Sequence, residues 1–119
     1  MSITNVTPDT YKSMTEKTSY ILLDFSADWC PPCKVMHPIV EAFSNDPELK
    51  HIQFGEVDVD EEQDISQSFN ISAMPTFVIV KSTKNDDGSV AIKEVKRWIG
   101  AQPNPLTFKM DILKAAPQD

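Results

Sequence analysis

Cysteine is scarce: the 119 residues contain two, Cys30 and Cys33, separated by a pair of prolines. A small secreted scaffold held by disulfides needs several cysteines spread along its chain, so that class is excluded. Glycine is scarce as well, with three residues. That leaves no glycine-rich loop to cradle a dinucleotide, and no bound cofactor is expected. Lys and Arg number 11 against 18 Asp and Glu, a formal net charge of −7. Gripping a phosphate backbone takes clustered cations, so no nucleic acid is expected as a partner. Long apolar runs are missing too. The longest, Tyr20–Leu23 and Phe77–Val80, fall far short of the ~20 residues of a membrane helix. The opening stretch, Met1 to Val6, has neither a basic nor an apolar region of the kind a secretory signal carries. No membrane partner and a cytoplasmic, reducing location are therefore expected.

What is present describes an ordinary globular chain, 40% hydrophobic and 24% charged, with a length that fits one domain over residues 1–119. Ile3–Val6 suggests a short strand. Thr7-Pro8 reads as an N-cap followed by proline at the first helical position, opening a helix to about Lys17. Tyr20–Phe25 is apolar on both alternating faces, as in a central strand covered by helices on both sides. From Cys30 to about Ser44, Met36, Ile39, Val40 and Phe43 recur at helical spacing, with Pro38 inside the helix as a kink. His51–Val59 is the next strand, and its change of phase near Gly55 suits a buried strand or a bulge. Asp60 with Gln63 forms a capping pair for a helix bearing Ile65 and Phe69. Thr76–Lys81 is a strand, Ser82–Ser89 a long polar hairpin loop turning at Asp87-Gly88, and Val90–Trp98 the returning strand. Asn104-Pro105 caps a last helix with Leu106, Met110 and Leu113 at i, i+4 and i+7. The order βαβαβαββα predicts an α/β fold: a mixed sheet of four to five strands flanked by helices on both faces.

The unusual chemistry is concentrated in Trp29-Cys30-Pro31-Pro32-Cys33. Cysteines at i and i+3 in the first turn of a helix come close enough to form and break a disulfide. The helix N-terminus offers unpaired N–H groups and positive potential, which favour a thiolate at the outer cysteine. Cys30, expected to be the more exposed, is then the nucleophile, and Cys33 resolves the mixed disulfide. Pro31 suits the first helical position. A structural disulfide is a weak rival, because the loop it would close is tiny. A zinc site is another rival, but closed sites want four ligands and only His37 and His51 are available beside the cysteines. No metal is expected, and both histidines read as surface residues. Asp24 is the one charge in Tyr20–Phe25. Burial raises the pKa of a carboxyl, making Asp24 a candidate proton acceptor near neutral pH; the alternative is an aspartate marking the strand's end.

Several motifs in register give the chain a further identity. Asp24-Phe25-Ser26-Ala27-Asp28-Trp29-Cys30-Pro31-Pro32-Cys33-Lys34 resembles the active-site stretch of the thioredoxin family, and Pro38 falls where that family has its kink proline. Phe54-Gly55-Glu56-Val57-Asp58-Val59-Asp60 is similar to the central strand of its eukaryotic-type members. Ala73-Met74-Pro75-Thr76-Phe77 resembles the family's cis-proline loop, and Gly100-Ala101 the glycine beside its substrate groove. The likeness runs from about residue 10 to residue 115 and implies the thioredoxin fold.

It also implies protein-disulfide reductase activity, with Asp24 assisting Cys33 and a cis bond before Pro75. Ala73 and Met74 would present backbone groups to a substrate strand, with Trp29, Pro31, Pro32 and Gly100 around them. Partners would be oxidised proteins and a thioredoxin reductase fed by NADPH, with the chain acting as a monomer. Two departures bear on tuning. Pro31 stands where the family's commonest residue is glycine, removing a backbone donor near Cys30 and stiffening the turn. Glu56 stands where bacterial relatives carry lysine: it either disfavours ionised Asp24 by like-charge repulsion or faces solvent. Trp98 either borders the groove or packs. The acidic run Glu56–Asp64 lacks an EF-hand's glycine and reads as solvated surface. The rival functions are a partner-binding module of the same fold with incidental redox activity, and a metal-bridged form of the cysteine pair.

Overall fold

The computed structural model describes residues 3–118; Met1, Ser2 and Asp119, which the expected domain includes, lie outside that range. The elements are β1 (Thr4–Asn5), α1 (Pro8–Thr15), β2 (Ser19–Ser26), α2 (Pro31–Ser44), a 3₁₀ turn (Pro47–Leu49), β3 (Ile52–Asp58), α3 (Gln63–Ser68), β4 (Thr76–Lys84), β5 (Val90–Ile99) and α4 (Pro105–Ala115). The strands form a five-stranded sheet in the order β1-β3-β2-β4-β5. Pairing is parallel among β1, β3 and β2 and antiparallel among β2, β4 and β5.

The near-continuous apolar run of β2 follows from its place in the middle of this sheet. Alternate residues serve opposite cores. Leu22 joins Phe54, Phe77 and Ile79 against Met36 and Val40 of α2 and Phe108 and Ile112 of α4. Leu23 and Phe25 join Val57 and Val78 against Met14 of α1, Ile65 of α3 and Phe69 just after it. Period two thus puts Asp24, like Leu22, on the side covered by α2. Phe108 is the hub of the first core, with ring centroids 5.7, 5.0 and 5.4 Å from Phe43, Phe77 and Trp98. Trp98 therefore packs into this core, and its remaining edge lines a surface pocket with Lys96 and Asp111 rather than the groove beside Met74. The caps are where the local chemistry puts them: Thr7 accepts from Thr10 N and Asn104 from Thr107 N, each before a proline.

Tertiary contacts override several local expectations. α1 stops at Thr15 rather than Lys17. Asp60 does not cap α3: Glu62 holds the N-cap position without a side-chain bond, and Gln63 donates to the Asp60 backbone carbonyl. The polar stretch Ser82–Lys84 is strand, paired with Val90–Ile92, so the loop shrinks to residues 85–89. Ser82 is wholly buried there, its hydroxyl donating to the Lys17 carbonyl. On α4 only Leu113 of the expected stripe packs against the core, and the other two residues face outward. Leu106 and Met110 are 69% and 52% exposed, while Phe108 and Ile112, also i and i+4, are buried. β3 has no bulge at Gly55; its register with β2 is unbroken from Tyr20↔Ile52 to Ser26↔Asp58. The glycine is needed because a Cβ there would lie 2.6 Å from Val6 Cγ2. The bulge is in β5, where Ile79 faces Lys96 and Val80 faces Glu94, leaving Val95 unmatched. His51 is half-buried rather than superficial, its Nε2–H donating to the Ala116 carbonyl at 2.6 Å.

Candidate active site

β2 ends at Ser26 and α2 begins at Pro31, so residues 27–30 carry the chain from sheet to helix. Cys30 is the N-cap of α2 (φ −99°, ψ 104°), and Pro31 and Pro32 fill the first two helical positions. Neither proline has an N–H, in a turn where helical N–H groups lack partners anyway. Cys33 is therefore the first residue of the helix with a donor to give. It gives it to Cys30 Sγ, at 3.2 Å. Negative charge on that sulfur would meet both this N–H and the positive end of a 14-residue helix.

The two sulfurs are joined in a disulfide, with the Cα atoms 5.3 Å apart. Cys30 and Cys33 are 3% and 5% exposed, so the expected greater exposure of Cys30 is absent from the oxidised pair. Their asymmetry comes from the helix terminus, which presents a donor to one sulfur alone.

Ala27, Val59 and Met74 pack around the pair. Met74-Pro75 is a cis peptide, with Pro75 buried and Ala73 exposed. Gly100 N–H donates to the Pro75 carbonyl at 2.8 Å, tying the end of β5 to this loop. Gly100 has φ +92°, a conformation that favours glycine. Pro31 and Pro32 are exposed, and Trp29 and Ile99 present large apolar surfaces, 63% and 65% exposed. Trp29 is held by its indole N–H, which donates to Asp60 Oδ2 at 2.9 Å. Asp60 and Met74 also border a shallow groove of about 290 Å³ whose other walls include Val59, Gln67 and Ile71.

Asp24 is 2% exposed, and its Oδ1 has no hydrogen-bond partner among the described residues. Burial pushes its pKa up from 3.8 to about 7; Glu56 adds to the rise and His37 opposes it. Glu56 is the β3 residue directly abreast of Asp24. Both readings of it hold in part: its side chain is 35% exposed, yet it repels charge on Asp24. His37 Nδ1 lies 3.0 Å from Glu56 Oε2. Sequence reasoning weighed His37 only as a zinc ligand beside the cysteines, did not see Ile99 as part of this neighbourhood, and took Asp60 for a cap. For Ile99 a signal existed: strand alternation next to the core residue Trp98 points it outward.

A cysteine pair closed at a helix N-terminus, against a cis-proline loop and fed by a strand carrying a buried acid, defines a thiol–disulfide exchange centre. Known proteins agree. The Thioredoxin family model matches residues 2–100. Thioredoxin H2 of Arabidopsis thaliana is 35% identical over 105 residues, spanning 88% of this chain and 71% of that protein. A thioredoxin of Coprinus comatus is 39% identical over 98 residues, 82% of this chain and 84% of that one. The crystal structure of Malassezia sympodialis thioredoxin matches with a TM-score of 0.75 at 33% identity, covering 93% of this chain and 90% of that one. The chain belongs to the thioredoxin family. It has the thioredoxin fold and is a thiol–disulfide oxidoreductase working by dithiol–disulfide exchange through Cys30 and Cys33. Among the described residues no helix is long and apolar enough to cross a membrane, and no three potential metal ligands gather.

Proposed function

We propose that the chain is a eukaryotic-type cytosolic thioredoxin in which Cys30 attacks, Cys33 resolves and Asp24 moves the proton between them and water. The observation that carries the assignment is the Cys33 N–H donated to Cys30 Sγ at the start of α2. In the reduced protein, Cys30 thiolate attacks one sulfur of a substrate disulfide; that bond breaks, and the departing sulfur takes a proton as a thiol. Asp24 carboxylate then accepts the Cys33 proton, and Cys33 thiolate attacks Cys30 Sγ. The mixed disulfide breaks, the second substrate sulfur leaves and is protonated, and two electrons have passed to the substrate. What remains is the intramolecular disulfide.

Substrate would lie over Trp29, Pro31 and Pro32, with the backbone of Ala73 and Met74 pairing with an extended peptide beside Pro75 and Gly100. Main-chain recognition suits a broad set of oxidised proteins. The exposed apolar side chain of Trp29 supports this footprint. Regeneration would draw on NADPH through a thioredoxin reductase. We place residues 1–119 in one thioredoxin domain, acting as a monomer in the cytoplasm.

The test is a trapping pair. Cys33→Ser should accumulate mixed disulfides through Cys30, whereas Cys30→Ser should neither trap partners nor reduce them. Trapping through Cys33 would reverse the roles. Partner binding that survives loss of both cysteines would favour a docking module, and metal retained on protein purified without chelators would favour the bridged form.

A further inference from the structure

Asp24 is buried, yet its proposed work requires it to lose and regain a proton. Three further ionisable side chains lie nearby at rising exposure. Glu56 sits abreast of Asp24 on the adjacent parallel strand, and residues in such register point to the same face. His37 reaches down from α2, with Nδ1 3.0 Å from Glu56 Oε2 and Nε2 3.5 Å from Glu41 Oε2. Exposure climbs along this series. Asp24 is 2% exposed, Glu56 35%, His37 49% and Glu41 61%.

We propose that His37 is a positioning residue of the exchange reaction: bonded to Glu56, it offsets the Glu56 charge that faces Asp24 and so sets how readily Asp24 gives up its proton. The proposal rests on Asp24 acting as the proton acceptor of Cys33. The charged groups acting on Asp24 are Glu56 from β3, which disfavours its ionised form, and His37 from α2, which favours it. Its β4 neighbour is Phe77, which has no charge to contribute. Glu56 in turn stands beside the uncharged Asn5 of β1. His37 alone can therefore offset Glu56 among these groups, and it does so only while protonated. A lysine in the same place would keep its charge throughout the neutral range. In each turnover the proton leaving Cys33 passes to Asp24 and from there to water, and the group returns to its starting charge.

His37 is half-exposed, so His37→Ala should fold as the parent does. Two measurements on His37→Ala, His37→Lys and Asp24→Asn separate this proposal from the one beneath it: the pH profile of mixed-disulfide resolution, and direct titration of the Asp24 carboxyl by carbon NMR in the oxidised protein. His37→Ala should raise the Asp24 midpoint by ~0.3 pH unit or more, slowing resolution about twofold on the acidic limb. His37→Lys should restore the lower midpoint and hold it across the neutral range. An Asp24 midpoint unchanged in His37→Ala overturns the role of His37 while leaving Asp24 as acceptor intact. A resolution profile unchanged in Asp24→Asn overturns the acceptor, and with it any part His37 plays in turnover.

Discussion

Replacing Asp24 by asparagine should make the protein more stable, by an amount that grows as pH rises from about 4 to about 7. Folding moves this carboxyl from water to a site 2% exposed and raises its pKa from 3.8 to about 7, chiefly by desolvation. The folded state therefore prefers the neutral acid. Its favourable contribution is fully present below the unfolded value of 3.8, falls as the unfolded chain ionises first, and is lost once pH rises through about 7. At ~1.4 kcal/mol per pH unit, the gap between those values is worth on the order of 4 kcal/mol. Asparagine keeps the shape and cannot ionise. Urea unfolding of the oxidised forms, followed by tryptophan fluorescence, should give an Asp24→Asn advantage that grows by about 3–4 kcal/mol between pH 4 and pH 8. Every other carboxylate is common to both proteins and largely cancels in the difference. An advantage that is the same at both ends of that range would refute the reasoning.

Two further substitutions test the packing. Phe108→Ala removes the ring shared by Phe43, Phe77 and Trp98 and should cost about 3–5 kcal/mol in the same assay, whereas Leu106→Ala, on the outward stripe, should stay within ~0.5 kcal/mol. Gly55→Ala drives a Cβ to 2.6 Å from Val6 Cγ2 and should cost about 1–3 kcal/mol by overpacking. A neutral result would mean that β1 shifts freely.

The features legible in the sequence are those whose cause is local. Thr7-Pro8 and Asn104-Pro105 mark helix starts because a cap involves only a few neighbouring residues. Cys30 and Cys33 announce themselves because the chemistry of the pair lies within one turn. The misreadings lie where distant residues decide. α4 carries two apolar stripes of the same spacing, and Phe43, Phe77 and Trp98 select Phe108 and Ile112 over Leu106 and Met110. Asp60 has the right neighbours for a cap, yet the indole of Trp29, 31 residues earlier, claims its carboxylate. His37 looks like a surface histidine until the fold sets Glu56, 19 residues later in the chain, against its ring. Ser82–Lys84 looks like loop because pairing with Val90–Ile92 is invisible in composition.

β5 forms the outer margin of the sheet for ten residues, and such a margin is a seam onto which a foreign strand can zip. Two things jam this zip. The unmatched Val95 interrupts the even spacing of ladder groups. Lys93 and Lys96, both exposed, would have to be stripped of water by any strand laid alongside. The molecule is thus adhesive by location: its long rim repels chance β-pairing, while the proposed substrate strand would pair elsewhere, at the exposed Ala73 before the cis-proline.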